Sequence, residues 1–461
     1  MGRWAKGLAA GAALGSALLA AGCGLVLGLD EFEDALPAGS CRTAADCPGG
    51  DHGAATCAGG ACTFACDEGF ADCTEAPGCE TATRDDPQNC GGCGVTCAAF
   101  CQEGACNDPV DLSVGPLSSI MCAILQDGSV WCWGRLPETS EETEVHTSPK
   151  RIDLPLPALQ VAVGAGTSNG SNPSLNHTAH VCALLSDQTV RCWGGNELGQ
   201  LGLGDMAPHE GLSDPGVTSI QQISANSLNT CAVNAEGVLY CWGAGSSIMG
   251  QSAAQAFAPE IINTGVRHVS MGFAHACSLM LDGTLECWGE NLYGALGLGD
   301  AAPSTVPNPQ HVGAWTGYLQ VASGGAHTCA RTAATTQCWG SNVEGQLGLG
   351  STTDHNTPQL LNLSQADSVT VGGSHSGLMI GGDVYTWGDN TFNQLGTEDA
   401  FDAESAVKIE LPPAAKLSFI SIASCALLED RRIMCWGSNT SGQLGDGTTT
   451  TRSTPAPVFW H

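Results

Sequence analysis

From residue 110 onward the chain alternates short apolar runs with turns rich in Gly, Asp and Asn. An apolar strand such as Leu319–Ala322 or Val369–Val371 leads into a hairpin, and a further strand, often introduced by proline, follows a Gly-Gln-Leu-Gly loop. This pattern recurs seven times. Its marker is a Trp-Gly dipeptide at Trp133, Trp193, Trp242, Trp288, Trp339, Trp387 and Trp436, spaced by 60, 49, 46, 51, 48 and 49 residues. Self-similarity at such a period means that each unit buries its apolar face against its neighbours. Four short strands per repeat predict an all-β, closed seven-bladed β-propeller over 110–461, because a ring leaves no unpaired ends. The first repeat has no proline-introduced strand ahead of it, so Pro455–Trp460 is predicted to complete the blade that starts near Asp111 and to fasten the ring.

The cysteines of the repeats report strand register. Cys122 and Cys132, Cys182 and Cys192, Cys231 and Cys241, Cys277 and Cys287, and Cys425 and Cys435 stand ten apart, and Cys329 and Cys338 nine apart. Gln126-Asp127-Gly128, Ala235-Glu236-Gly237 and Leu281-Asp282-Gly283 suit three-residue hairpin loops with a bulge at the glycine; Ala333-Ala334 suits a two-residue loop. Both loop lengths put the paired cysteines opposite each other. Cross-strand disulfides are therefore expected, within the reach of a disulfide between facing strands. Redox-active dithiols are the competing reading, and six near-identical copies weigh against it.

Composition changes the picture in two ways. With 46 acidic and 15 basic residues the net charge is −31, which repels nucleic acid and anionic lipid and sets aside nucleic-acid binding. Sixty-two glycines suit a turn-rich β protein with little helix. The 25 cysteines belong in an oxidising compartment. Residues 1–22 agree, with Arg3 and Lys6, an apolar run from Leu8 to Leu19, and Ala20-Ala21-Gly22 before Cys23, the layout of an export signal. This resembles a bacterial lipoprotein signal, in which Cys23 is lipidated and becomes the mature N-terminus, with Ala20 where that pattern prefers Leu. Because the apolar run continues to Leu29, an uncleaved anchor of about 22 residues is the alternative. Either form gives a membrane-anchored protein exported into the cell envelope, with outer membrane or cell surface as the expected location.

Residues 23–40 are then a tether and 41–109 a cysteine-rich spacer. Twelve cysteines between Cys41 and Cys106 sit among few large apolar residues, so covalent staples must supply the order. Six disulfides are expected there, with the connectivity open. Cys90, Cys93 and Cys97 also have metal-ligand spacing, a reading disfavoured where thiols are oxidised. The run from Gly78 to Gly94 resembles cysteine-rich stretches common in exported proteins of myxobacteria-like organisms.

Gly-x-x-His-x-Cys, then Asp-Gly-Thr-Leu-x-Cys-Trp-Gly-x-Asn-x-x-Gly-x-Leu-Gly, as in Gly272 to Gly297, resembles the repeat of the regulator of chromosome condensation family of seven-bladed propellers. The motif is diffuse in the first repeat, at Gly134-Arg135-Leu136-Pro137, and in the third. The resemblance implies action through a propeller face, as in a nucleotide-exchange factor for a small GTPase and a secreted inhibitor of β-lactamase.

His180, His275, His327 and His375 share one position in their repeats. They are expected to hydrogen-bond their own blade's turn; a metal-binding ring about the axis is the alternative. The tryptophans read as blade packing. Function is sought where the repeat fails, on two rim segments. One is the acidic run with Glu138, Glu141, Glu142 and Glu144; the other is the insertion 164–177, with Asn169, Asn172, Asn176 and His177. No catalytic residue, metal site or cofactor is assigned. The expectation is a monomeric, tethered binding protein that recognises a protein or envelope polymer through its rim. A surface hydrolase or lyase and a purely structural envelope protein are the alternatives.

Overall fold

The computed structural model describes residues 40–47, 52–73, 79, 81–115, 118–137, 143–164, 179–244, 248, 255–399 and 401–460. Seven antiparallel sheets, each made in simple sequence order, form the blades of a propeller. Blade 4 shows the plan: strands Val266–Met271, His275–Met280, Leu285–Glu290 and Thr305–His311 run from the axis outward. Helix among the described residues is limited to three-residue turns at Ala44–Asp46 and Leu292–Gly294. Blade 2 departs from four strands. Its three strands, Ala158–Gly164, His180–Leu185 and Val190–Gly194, are followed only by a bridge between Cys192 and Ser213, because Pro208, Gly211, Pro215 and Gly216 interrupt a ladder there.

The central hairpins keep the predicted register. In each of the six, the two cysteines face each other directly and form a disulfide, with Cα atoms 4.1 Å apart. Gly128, Gly237 and Gly283 have φ of 78°, 77° and 81°, the left-handed conformation that a three-residue loop needs at its last position. In the sixth blade Gly377 and Thr386 occupy the same facing positions.

The cysteine-rich module carries six disulfides: Cys41–Cys57, Cys47–Cys62, Cys66–Cys79, Cys73–Cys93, Cys90–Cys101 and Cys97–Cys106. Cys90, Cys93 and Cys97 thus belong to three different bridges, and their metal-like spacing has no thiol left to ligate an ion. The module ends against blade 1. Phe100 packs on Trp131, centroids 4.6 Å apart, and on Trp460 at 5.5 Å, while the Asn107 side chain accepts the Asp127 N–H at the tip of the first hairpin.

The expected ring fastening is overturned. Arg452–Pro457 is the fourth strand of blade 7, paired with Ile433–Gly437, and blade 1 supplies its own outer strand, Thr143–Ile152. No strand crosses the seam, so side chains close it. Asp111 and Lys416 form an ion pair, Ser418 Oγ donates to Leu112 O at 3.0 Å, and Trp133 Nε1 donates to Gln443 O at 3.0 Å. Leu112, Met121 and Trp133 share one apolar cluster with Ile420, Leu444 and Val458.

Candidate functional site

The repeat motif is the joint between blades. His180 Nε2 lies 2.8 Å from Thr230 Oγ1 in the next blade, His275 2.9 Å from Thr328, His327 2.8 Å from Ser376 and His375 2.9 Å from Ser424. Each hydroxyl donates its proton to a backbone carbonyl, of Gln200, Ala295, Gln346 and Gln394 respectively. It therefore accepts from the imidazole, which is neutral and carries its proton on Nε2. The tryptophan of the next blade donates to that same carbonyl: Trp242 to Gln200, Trp339 to Ala295, Trp387 to Gln346 and Trp436 to Gln394. Burial pushes His275 down to about 4 and His375 to about 3. Burial, then the neighbouring His275 and His375, take His327 to about 3. The expectation that these histidines hold their own blade's turn is corrected, since each reaches across to the next blade. They lie between blades and do not line the axis.

The axial channel has a volume of about 280 Å³ and is walled by the innermost strands. Its polar groups are mostly spent on the ring: Gln160, Gln222 and Gln320 each bond the backbone N–H and C=O of the following blade's inner strand. His268 takes the equivalent place in blade 4, where burial, with a smaller contribution from Arg267, lowers it to about 4.

A meander gives every blade the same two ends. First-to-second and third-to-fourth connections open on one face, here the loop face. The central hairpins open on the other, the hairpin face, where the cysteine-rich module joins. On the loop face the connection after the third strand is built around an asparagine in blades 2, 4, 5, 6 and 7. Asn342 Oδ1 accepts the Leu347 N–H, and its amide donates to Ser351 O and Thr353 O. The same bonds recur at Asn196, Asn390 and Asn439. A glutamine finishes the loop: Gln200, Gln346, Gln394 and Gln443 accept the N–H of Leu198, Glu344, Phe392 and Ser441.

Blade 4 has Ala295 in place of that glutamine. Without the acceptor, Leu292–Gly294 folds as a single tight turn in which Tyr293 has φ 55°, a left-handed conformation costly for an aromatic residue. The ring is thereby presented to solvent. With Phe273, Leu292 and Val343, Tyr293 walls a groove of about 410 Å³, whose floor includes Gly325 and Gly373. Phe392 and Phe401 stand on the next loop, and these six apolar side chains are between 39% and 79% exposed. Carboxylates border them. Burial, then Asp402 and Asp389, raise the Glu344 carboxyl above its ordinary range.

The sequence profile of the RCC1-like domain matches residues 175–460, more than half of the chain. The chain belongs to the RCC1-like domain family. Among curated proteins the ultraviolet-B receptor UVR8 of Arabidopsis thaliana is 32% identical over 291 residues, covering 60% of this chain and 55% of that protein. The probable E3 ubiquitin-protein ligase HERC6 of Homo sapiens is 34% identical over 184 residues, 37% of this chain and 18% of that protein. This RCC1-like chain thus spans about half the length of UVR8 and less of the others. Yeast RCC1 (Prp20) bound to Kap60 superposes with a TM-score of 0.61 at 21% identity, covering 76% of this chain and 85% of that one. Human WBSCR16 gives 0.59 at 17%, covering 70% and 88%. These structural likenesses establish the fold.

Within the RCC1-like propeller, Glu138, Glu141, Glu142, Asn169, Asn172, Asn176 and His177 lie outside the described residues, as does Cys23. Glu144 is exposed, with Oε2 3.5 Å from His146 Nε2. Among the described residues no helix is long and apolar enough to cross a membrane. By chain topology both rim segments join strand ends at the loop face, the first between Pro137 and Thr143 and the second between Gly164 and Ala179. The apolar groove of blades 4 and 5 was missed from sequence. Its signal was a departure inside the repeat: Leu292-Tyr293 places two large apolar residues where Glu197-Leu198, Val343-Glu344, Thr391-Phe392 and Thr440-Ser441 each include a polar one, and Ala295 replaces glutamine.

Proposed function

We propose that this protein is an exported, membrane-anchored binding propeller that engages a protein partner through its loop face, without turnover. One observation carries the reading: both rim segments and the groove of blades 4 and 5 open on the loop face, while the cysteine-rich module joins at the hairpin face. A chain anchored at Cys23 and spaced by residues 23–109 would turn its loop face away from the membrane. Glu138, Glu141, Glu142, Glu144, Asn169, Asn172, Asn176 and His177 would border the partner, with the apolar groove as its centre. Loop-borne recognition on a rigid ring is a usual division of labour. Yeast RCC1, which shares the fold, was crystallised bound to Kap60, an analogy for the reading.

The test is photo-crosslinking in the producing cell, with a photoreactive residue at position 343 on the loop face or at position 319, where an inner strand begins near the hairpin face. A discrete partner adduct from 343 alone is expected. Adducts of equal yield from both positions, or none from either, count against the reading and favour a structural envelope role.

A further inference from the structure

Blades 4, 5 and 6 present three successive third-to-fourth loops, 290–305, 341–355 and 389–403, which carry two, two and four carboxylates and no Lys or Arg. Among the described residues none of these carboxylates forms an ion pair with a cation. The cations of these blades lie elsewhere: Arg267 is exposed where blade 4's inner strand begins near the hairpin face, Arg331 is spent on Ala366 O and Gln320, and Lys408 pairs with Asp383 near the hairpin face. Burial first, then Asp402 and Asp389 as like-charged neighbours, hold the Glu344 carboxyl above its ordinary range. Beside these loops lies the groove walled by Phe273, Leu292, Tyr293 and Val343, with glycines, serines and Gln346 also in its lining.

A groove with apolar walls, beside loops that carry carboxylates and no Lys or Arg, selects its occupant. Anionic lipid and nucleic acid are repelled, and a second copy of this chain would bring the same charge of −31 to the contact. The geometry points to a cationic protein segment as the partner: an exposed Leu or aromatic side chain seated between Tyr293 and Val343, with flanking Lys or Arg residues against Glu344, Asp389 and the neighbouring carboxylates. This deepens the proposed function and rests on its assignment of the loop face. Tyr293 is the anchor. Its left-handed backbone is a local cost that glycine would remove, so the tyrosine opposes stability where it stands while adding exposed aromatic area.

The experiment uses the purified full chain and three fluorescent peptides of twelve residues. The first has a Leu-Trp core flanked by Lys and Arg, the second the same core flanked by Glu, and the third the cationic flanks around a Ser-Gly core. The first should bind about tenfold more tightly than either other peptide, and weaken severalfold as salt rises from ~50 to ~300 mM. Tyr293→Gly should cost about tenfold in affinity with no fall in melting temperature, and Glu344→Gln with Asp389→Asn should flatten the salt dependence. Equal binding of the three peptides, undiminished binding by Tyr293→Gly, or no binding of the first peptide overturns the proposal. A partner still crosslinked at position 343 in that case leaves the loop-face reading standing and removes only the cationic chemistry.

Discussion

The imidazole of His327 sits fully buried between blades, donating to Ser376 and finding no partner for Nδ1 among the described residues. Its replacement by Ala removes a hydrogen bond and opens a void at a blade joint. His327→Ala is expected to cost about 2–4 kcal/mol in denaturant unfolding, and His327→Gln less. The same burial sets an acid limit. Folded His275, His327 and His375 titrate near 4, 3 and 3, below the ordinary 6.5, so the unfolded chain binds more protons. Stability is complete above pH 6.5 and falls as pH drops toward the folded values, by up to about 1.4 kcal/mol per pH unit for each histidine. A denaturation midpoint that falls between pH 6.5 and 4.5 checks this; carboxylates with lowered pKa contribute only below that window. Backbone conformation offers a gain at Gln188, whose φ of 66° closes the second hairpin where blades 1, 3 and 4 have glycine. Gln188→Gly should raise stability by about 1 kcal/mol, read from thermal melting.

Single hairpins carry the disulfides, and these link residues already close along the chain. For a closed loop of about ten residues the chain-entropy account gives an upper limit of about 2.7 kcal/mol. Replacing Cys329 and Cys338 together by Ala should therefore lower stability by about 1–3 kcal/mol and leave the propeller folded, as the sixth blade does without a bridge at Gly377 and Thr386. The cysteine-rich module should behave differently. Its buried apolar residues are almost all cysteines, with Cys90, Cys97 and Cys101 as the core of its last part, so reduction should unfold it while the blades persist. Limited proteolysis in reductant, with cleavage confined to 41–106, is the readout. Hairpin register was legible because the ten- and nine-residue spacings each allow one loop that keeps two cysteines opposed. The missing fourth strand of blade 2 was not singled out, although Pro208 and Pro215 mark it.

Across the whole ring, the seam between blades 1 and 7 has no covalent or strand-level fastening. Trp133 makes the joint there that Trp242 and Trp339 make elsewhere, donating to Gln443 O, with Trp460 beside it at 6.3 Å. Trp133→Phe should cost about 1–3 kcal/mol by leaving that carbonyl unsatisfied. Amide exchange should then rise in Ile120–Leu125 and Ala423–Leu428 together, with the blade 4 strands unchanged. Exchange that rises evenly around the ring would contradict a localised seam. The sequence by itself determined the blade number, the hairpin register and the repeat's structural character, because period, cysteine spacing and turn glycines are local properties of the chain. It misread the direction of the histidine bonds and the course of residues 455–460, since both depend on which blade lies next in space. It also could not place Phe273, Tyr293, Val343 and Phe392 in one acidic field. Those residues are separated by tens of positions, and only the closing of the ring sets their loops side by side on the face opposite the cysteine-rich module.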